Sequence, residues 1–131
     1  MVDSTESTNW RQLREFADVD LTQSFVLSWH IEAEALVIDI DLLLEPEHPF
    51  YEKPRPAEKV CIRPATIEFP YCEDVRLAGN ENGEVSDIVQ EIGHGAITDL
   101  SVPNDSRYAI TGEFGTVSLS AERPILRLKG P

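Results

Sequence analysis

The sequence predicts a mainly β protein: an antiparallel sandwich or small barrel of about seven or eight strands with two short helices. Residues 24–45, SFVLSWHIEAEALVIDIDLLLE, alternate between apolar and polar side chains on both sides of a short polar turn. The last third contains closely spaced apolar segments joined by turn residues, and only two segments show helical periodicity. The 131 residues fit a single domain, residues 1–131, with a substantial core.

The charge of the chain restricts its partners. Asp and Glu number 24 against 11 Lys and Arg, which gives a formal net charge of −13. Such a field repels nucleic-acid phosphates and anionic membranes, so we expect neither as a ligand. It would attract a basic protein partner, although it also simply keeps a protein soluble.

The N-terminal residues show no targeting pattern and contribute a short helix in our prediction. MVDSTESTNW lacks the basic start and apolar segment of a signal peptide, so we expect a cytoplasmic protein. Residues 1–7 are polar, and we expect them to be flexible. From Thr8, NWRQLREFA places Trp10, Leu13 and Phe16 at helical spacing.

Residues 25–44 predict a β-hairpin with a defined register. If residues 32–35 form the turn, Ile31 faces Leu36, Trp29 faces Ile38 and Leu27 faces Ile40, all on the core side. Asp39 then lies opposite Ser28, and Asp41 opposite Val26, on the outer face. Two carboxylates at this spacing could bind a cation or share a proton, but outward polar residues are also typical of a half-solvated strand.

Residues 45–59, EPEHPFYEKPRPAEK, form a long loop whose four prolines prevent regular structure. Long loops in compact domains often carry binding sites. We therefore predict a binding surface at His48, Phe50 and Tyr51.

The remaining elements alternate between strands and one more helix. Residues 59–69 predict a strand in which Pro64 implies an edge or a bulge, and the chain continues in extended form to Leu77. Val85, Ile88, Val89 and Ile92 follow helical spacing, and we expect Gly93 to end that helix in the left-handed conformation. Strands at 96–102, 107–111 and 116–121 then form a meander in which Tyr108 faces Leu119 and Ile110 faces Val117. The chain ends with the strand ILRLKG.

The chain contains no sequence motif for catalysis, metal binding or a cofactor. It has neither a P-loop nor a GxSxG elbow. Ser28, His30, Asp39 and Asp41 share one face of the predicted hairpin, but a flat face lacks a pocket and an oxyanion hole. The histidines lack metal-ligand spacing, and Cys61 and Cys72 predict buried, unreactive thiols. We predict no catalytic residue, no metal and no cofactor.

Residues 93–128, GHGAITDLSVPNDSRYAITGEFGTVSLSAERPILRL, resemble the C-terminal pattern of several small bacterial families of unknown function. The shared feature is a Gly-Ile strand followed by Y-x-I-x-G and G-x-V-x-L-x-A strands. Some of these families lie beside toxin systems as presumed immunity proteins. The resemblance implies a β-rich fold and an immunity-like role, and it transfers no functional residue.

Three functions fit these observations. The first is a non-catalytic, acidic binding protein that masks a basic partner, as an immunity protein does. The second is a sandwich or barrel that binds a small ligand between its sheets or under the proline-rich loop. The third is a metal-dependent hydrolase that uses Asp39, Asp41 and a histidine. The oligomeric state does not follow from the sequence.

Overall fold

The computed structural model describes residues 8–10, 13–53, 56, 60–77, 84–104 and 107–129. In these residues the protein is mainly β, which confirms the predicted fold class. The helical elements are a 3-10 turn, Arg14–Phe16, and the α-helix α1, Val85–Glu91. The strands are β1 (Thr8–Asn9), β2 (Val19–Glu32), β3 (Ala35–Leu44), β4 (Cys61–Phe69), β5 (Asp74–Leu77), β6 (Gly95–Asn104), β7 (Arg107–Gly112), β8 (Gly115–Ser120) and β9 (Ile125–Leu128).

All strand pairs are antiparallel, in the order β5-β8-β7-β6-β2-β3-β4-β9, and β1 pairs with β6. The sheet folds over on itself. Phe69 on β4 and Tyr108 on β7 are separated by four steps in this order, yet their ring centroids are 5.0 Å apart. A flat sheet would separate them by about 19 Å, because neighbouring strands lie about 4.8 Å apart. The fold is therefore sandwich-like, with β2, β3, β4 and β9 facing the other strands.

The core lies between these two layers. On β3 the residues Leu36, Ile38, Ile40 and Leu42 are fully buried, whereas Val37, Asp39 and Asp41 between them are half-buried on the outer face. This alternation is the pattern of a strand with one face in the core. Helix α1 packs against β2 and β5 and buries Ile88, Val89 and Ile92.

The predicted hairpin register is correct near the turn and wrong beyond it. Ile31 pairs with Leu36, Trp29 with Ile38 and Ser28 with Asp39. Val26, however, pairs with Ile40, so Leu27 is an extra residue in β2 and forms a bulge. Because a one-residue shift exchanges the two faces of a strand, Val26 is buried while Leu27 is 46% and Phe25 39% exposed. The expected core position of Leu27 is therefore wrong, as is the predicted pairing of Val26 with Asp41. Ile31, which we also expected on the core side, is 37% exposed.

A second irregularity bends β2 between Asp20, which pairs with Leu43, and Phe25, which pairs with Asp41. Asp20 accepts hydrogen bonds from Thr22 N, at 3.0 Å, and Gln23 Nε2, at 2.8 Å. The buried Ser24 Oγ donates to Asp20 O and accepts from Leu43 N, at 2.8 and 3.1 Å. These two polar residues satisfy backbone groups that the interrupted ladder leaves unpaired.

Both predicted helices need correction. The N-terminal segment forms strand β1 and the 3-10 turn instead of a helix, and the predicted flexibility of residues 1–7 lies outside the described residues. Helix α1 forms where its periodicity predicts it. It ends at Ile92 in an extended conformation (φ −71°, ψ 128°), and Gly93 does not have positive φ. The predicted left-handed end of the helix is wrong.

The four C-terminal strands form where the sequence predicts them. Tyr108 pairs with Leu119 and Ile110 with Val117. Strand β9, however, does not extend the meander but crosses to the other layer and pairs with β4. Pro64 accepts a hydrogen bond from Lys129 N on that side, at 3.0 Å, so its missing N–H lies where the pairing with β9 ends. Neither α1 nor the 3-10 turn, the helical segments of the described chain, has the length and apolar character of a membrane crossing.

Candidate functional site

The segment that follows β3 is held in place by consecutive backbone turns. Glu45 N donates to Asp18 O at 3.0 Å, His48 N to Glu45 O at 2.9 Å and Tyr51 N to His48 O at 3.0 Å. The proline-rich segment is described at residues 45–53 and 56. These hydrogen bonds hold the backbone of residues 45–51 in one conformation, and we call this segment the wall.

The structure places the predicted binding residues His48, Phe50 and Tyr51 side by side on this wall. His48 Nδ1 accepts a hydrogen bond from Phe50 N at 3.0 Å, and the two rings lie 5.8 Å apart. Tyr51 packs against the core, whereas Phe50 is 63% exposed. His48 thus positions Phe50 and presents its ring to solvent.

Phe50 and Tyr51 line a groove of about 550 Å³, which we call the Phe50 groove. The rest of its lining comes from β4 and from the end of β9, next to the position where the pairing of these two strands stops. The lining residues are Pro49, Phe50, Tyr51, Glu52, Arg63, Pro64, Leu128 and Lys129. This volume is in the range of small-molecule sites, about 300–1,000 Å³.

Among the described residues two cations line the groove, and each forms an ion pair. Arg63 pairs with Glu52 and also donates to Ile62 O at 2.9 Å. Lys129 Nζ donates to Asp39 Oδ1 at 2.9 Å. Lys129 therefore connects the groove to the second group of residues predicted from the sequence.

That group lies on the outer face of the β2–β3 hairpin. Ser28 Oγ donates to Asp39 Oδ2 at 2.8 Å, and His30 Nδ1 lies 3.7 Å from the same oxygen. Burial acts to raise the pKa of Asp39, but the hydrogen bonds from Lys129 and Ser28 outweigh it and hold that pKa below its usual range. Asp39 is therefore a stable carboxylate at neutral pH.

This arrangement does not match a hydrolytic triad. Ser28 donates to the carboxylate itself, and His30 contacts Asp39 and Glu32, so within the described part of the chain no base is placed to activate the serine. Asp41 lies on the same face, but among the described residues it shares no hydrogen bond or ion pair with this group. Among the described residues, no three His, Cys, Asp or Glu side chains are grouped to hold a metal ion.

The thiols and the remaining histidine lie apart from both groups. Cys61 is buried, and Cys72 is half-buried. Burial is the main cause that raises the pKa of Cys72 to about 11, so this thiol is protonated and a poor nucleophile at neutral pH. His94 lies beside Phe25, with ring centroids 6.2 Å apart.

A third surface was not predicted from the sequence. The turn after β4 contains Tyr71, which has φ +51° and is 63% exposed, where we expected a continuous extended segment. Cys72 N donates to Glu34 O at 2.7 Å, Glu73 N to Ser120 O at 2.9 Å, and Glu122 N to Pro70 O at 2.9 Å. Three turns that are distant in sequence therefore meet at one end of the molecule.

We call Tyr71 with Glu34, Glu73 and Glu122 the turn surface. The three carboxylates are exposed, and none forms an ion pair with a described residue. By contrast, the cations of the strands and their ends are engaged with carboxylates: Arg63, Arg76, Arg107, Arg123, Arg127 and Lys129. The turn surface thus combines an exposed aromatic residue with three exposed glutamates on the turns that meet there, and none of these glutamates is ion-paired within the described residues.

Comparison of the chain with models of protein families, with curated proteins and with solved structures gives no match.

Proposed function

We propose that the protein is a non-catalytic binding protein that docks a basic protein partner on its turn surface. The observation that carries this proposal is Tyr71, a large aromatic side chain that is 63% exposed where the turns carrying Glu34, Glu73 and Glu122 meet; these three glutamates are exposed and form no ion pair within the described residues. Tyrosine is enriched at the energetically important centres of interfaces because it buries a large area with few rotatable bonds.

The position of Tyr71 is fixed before any partner arrives. Backbone hydrogen bonds tie the residues on both sides of it to Glu34 and to Glu122. Association then costs less conformational entropy than it would for a flexible loop. A rigid aromatic centre with a polar rim is the usual anatomy of a docking site.

The charge determines which kind of partner fits. Glu34, Glu73 and Glu122 add a local negative potential to a chain whose net charge is −13. This potential attracts a basic surface and accelerates encounter, and it repels nucleic-acid phosphates. The resemblance of residues 93–128 to presumed immunity proteins supports the same role, in which an acidic protein masks a basic toxin.

The test is affinity capture with matched variants. Wild type, Tyr71→Ala and Phe50→Ala are immobilised and exposed to native lysate at about 50 mM and about 300 mM NaCl, because screening separates electrostatic from apolar binding. Phe50→Ala is the control, since Phe50 is exposed to the same 63% on another surface. We expect one basic protein to bind wild type and Phe50→Ala and to be lost from Tyr71→Ala.

The purified partner then gives the quantitative result. We expect Tyr71→Ala to weaken its Kd by at least about tenfold, the smallest effect of a central aromatic residue, and the association rate to fall with salt. Capture of no protein at either salt, or a Kd that Tyr71→Ala leaves unchanged, would contradict the proposal.

A further inference from the structure

The Phe50 groove is a second surface. Its composition differs from that of the turn surface, because it combines apolar side chains with cations. Phe50, Tyr51, Pro64 and Leu128 supply the apolar lining, and Arg63 and Lys129 supply positive charge. We propose that this groove binds a small monocarboxylate with an aromatic or aliphatic body.

The apolar part of the site is formed in the absence of a ligand. The consecutive hydrogen bonds of residues 45–51 fix the wall, and His48 holds the backbone of Phe50. A ligand that stacks on the Phe50 ring therefore gains apolar burial without first ordering a loop. The groove volume of about 550 Å³ accommodates a ring or short chain.

The cations explain the preference for a carboxylate. An ammonium group carries three donors, and the hydrogen bond from Lys129 to Asp39 uses one of them. Arg63 is paired with Glu52, whose side chain is 73% exposed. Exposed ion pairs contribute little free energy, so a ligand carboxylate can replace Glu52 at small cost. Asp39, by contrast, stays hydrogen-bonded to Lys129 when the ligand binds and holds the ammonium group at the groove.

The ion pairs of the groove restrict the ligand to a single negative charge. When a ligand carboxylate replaces Glu52 and Asp39 stays paired with Lys129, one negative charge on the ligand balances Arg63 and Lys129, and a second charge finds no further cation among the described lining residues. Phosphate esters are therefore disfavoured.

The first experiment compares four probes by amide ¹H–¹⁵N chemical-shift titration. We expect phenylacetate and hexanoate to saturate and to shift the signals of Phe50, Glu52 and Lys129. Benzyl alcohol, which lacks the charge, and phenyl phosphate, which carries a second charge, should bind at least about tenfold more weakly. Equal binding of the alcohol, tighter binding of the phosphate, or no saturable shift at these residues would overturn the proposal.

The second experiment measures how much individual residues contribute to the affinity for phenylacetate, by comparing variants with matched controls. Phe50→Ala and Lys129→Gln should each weaken phenylacetate binding by about tenfold, as expected for losing an apolar platform or a charged donor. Tyr71→Ala and Arg127→Gln are the controls, because Tyr71 is as exposed as Phe50, and Arg127 lies on β9, two residues before Lys129, but pairs with Glu68. All four variants should keep the wild-type spectrum outside the altered region, and equal weakening by a variant and its control would overturn the assignment.

Discussion

Asp39 and Asp41 show how two residues of one type on one strand face acquire different roles. Both are half-buried on the outer face of β3. Asp39 accepts hydrogen bonds from Ser28 on the neighbouring strand and from Lys129 near the C-terminus. For Asp41 the described part of the chain shows no comparable side-chain partner. Asp39 is therefore the carboxylate that contributes to stability.

We expect Asp39→Asn to destabilise the protein by about 1 kcal/mol at pH 7, because a charge-assisted pair with a half-exposed lysine is lost. The folded protein lowers the pKa of Asp39, so its contribution is present above the unfolded aspartate value of about 3.9. The contribution is lost as the pH falls from there through the lower folded value. Urea unfolding of wild type and variant at pH 7 and about pH 2 measures this change.

Asp41→Asn is the matched control, and it should change the free energy of unfolding by less than about 0.5 kcal/mol at either pH. Equal losses in the two variants, or an Asp39→Asn loss that does not shrink in acid, would contradict this account. The sequence predicts the outward direction of both carboxylates from alternation alone. It does not distinguish them, because the distinguishing residue, Lys129, is brought close only when β9 pairs with β4.

At the scale of elements, the β7–β8 hairpin and the start of β6 fit together closely. Glu113 N donates to Ala96 O at 3.0 Å, and Glu113 Oε1 accepts from Ala96 N at 2.7 Å. Phe114 packs edge-on against Trp29 at 5.1 Å, and Trp29 Nε1 donates to Gly93 O at 2.8 Å. The turn therefore joins β6 and β2 where the two layers meet.

Gly112→Ala should destabilise this junction by about 1–3 kcal/mol, the usual cost of overpacking. A Cβ at Gly112 would overlap with Ala96 O and lie 2.6 Å from a ring carbon of Phe114. Gly93→Ala is the control, because its Cβ would meet nothing within 4 Å and its φ is not positive. Denaturant unfolding of both variants measures the difference, and similar stabilities for the two would contradict the packing described here.

The β2–β3 hairpin shows which part of an element the alternation of apolar and polar residues predicts correctly. The pattern gives the correct register from Ser28 to Glu32, because that part lies next to the turn. It fails at Leu27, where a bulge exchanges the faces. Leu27 and Phe25 are as apolar as Val26, so composition does not indicate which of them faces the core. The pairing of Val26 with Gly95 on β6 depends on a strand that is distant in sequence.

At the scale of the whole molecule, both proposed binding surfaces are assembled by long-range connections. The turn surface joins residues 34, 71, 73 and 122, and the Phe50 groove joins the segment after β3 to the end of β9. Sequence analysis identified Phe50 and Tyr51 because a long proline-rich loop is a local signal. It missed Lys129 and Arg63, because only the pairing of β9 with β4 brings these two residues to one groove. It missed Tyr71, because Glu34 and Glu122 approach it only through the pairing of β3 with β4 and the hydrogen bond of Glu122 N to Pro70 O.

The distribution of charge over the whole molecule predicts that removing carboxylates from the turn surface raises the stability of the protein and weakens its binding to a basic partner. The three exposed carboxylates of the turn surface lie in the negative field of a chain of net charge −13, which repels them. The combined Glu34→Gln, Glu73→Gln and Glu122→Gln variant removes three of these charges. It should therefore be more stable than wild type by about 0.5 kcal/mol or more at low salt.

This gain should shrink as NaCl is raised, because salt screens exposed charges, and the same variant should bind a basic partner more weakly. Glu15→Gln is the control, since Glu15 accepts two hydrogen bonds from Arg123, both at 2.8 Å, and its removal breaks an ion pair. Urea unfolding at several salt concentrations compares the two. A triple variant that is no more stable than wild type at low salt would show that removing these charges relieves no repulsion, and the electrostatic basis of docking would fail with it.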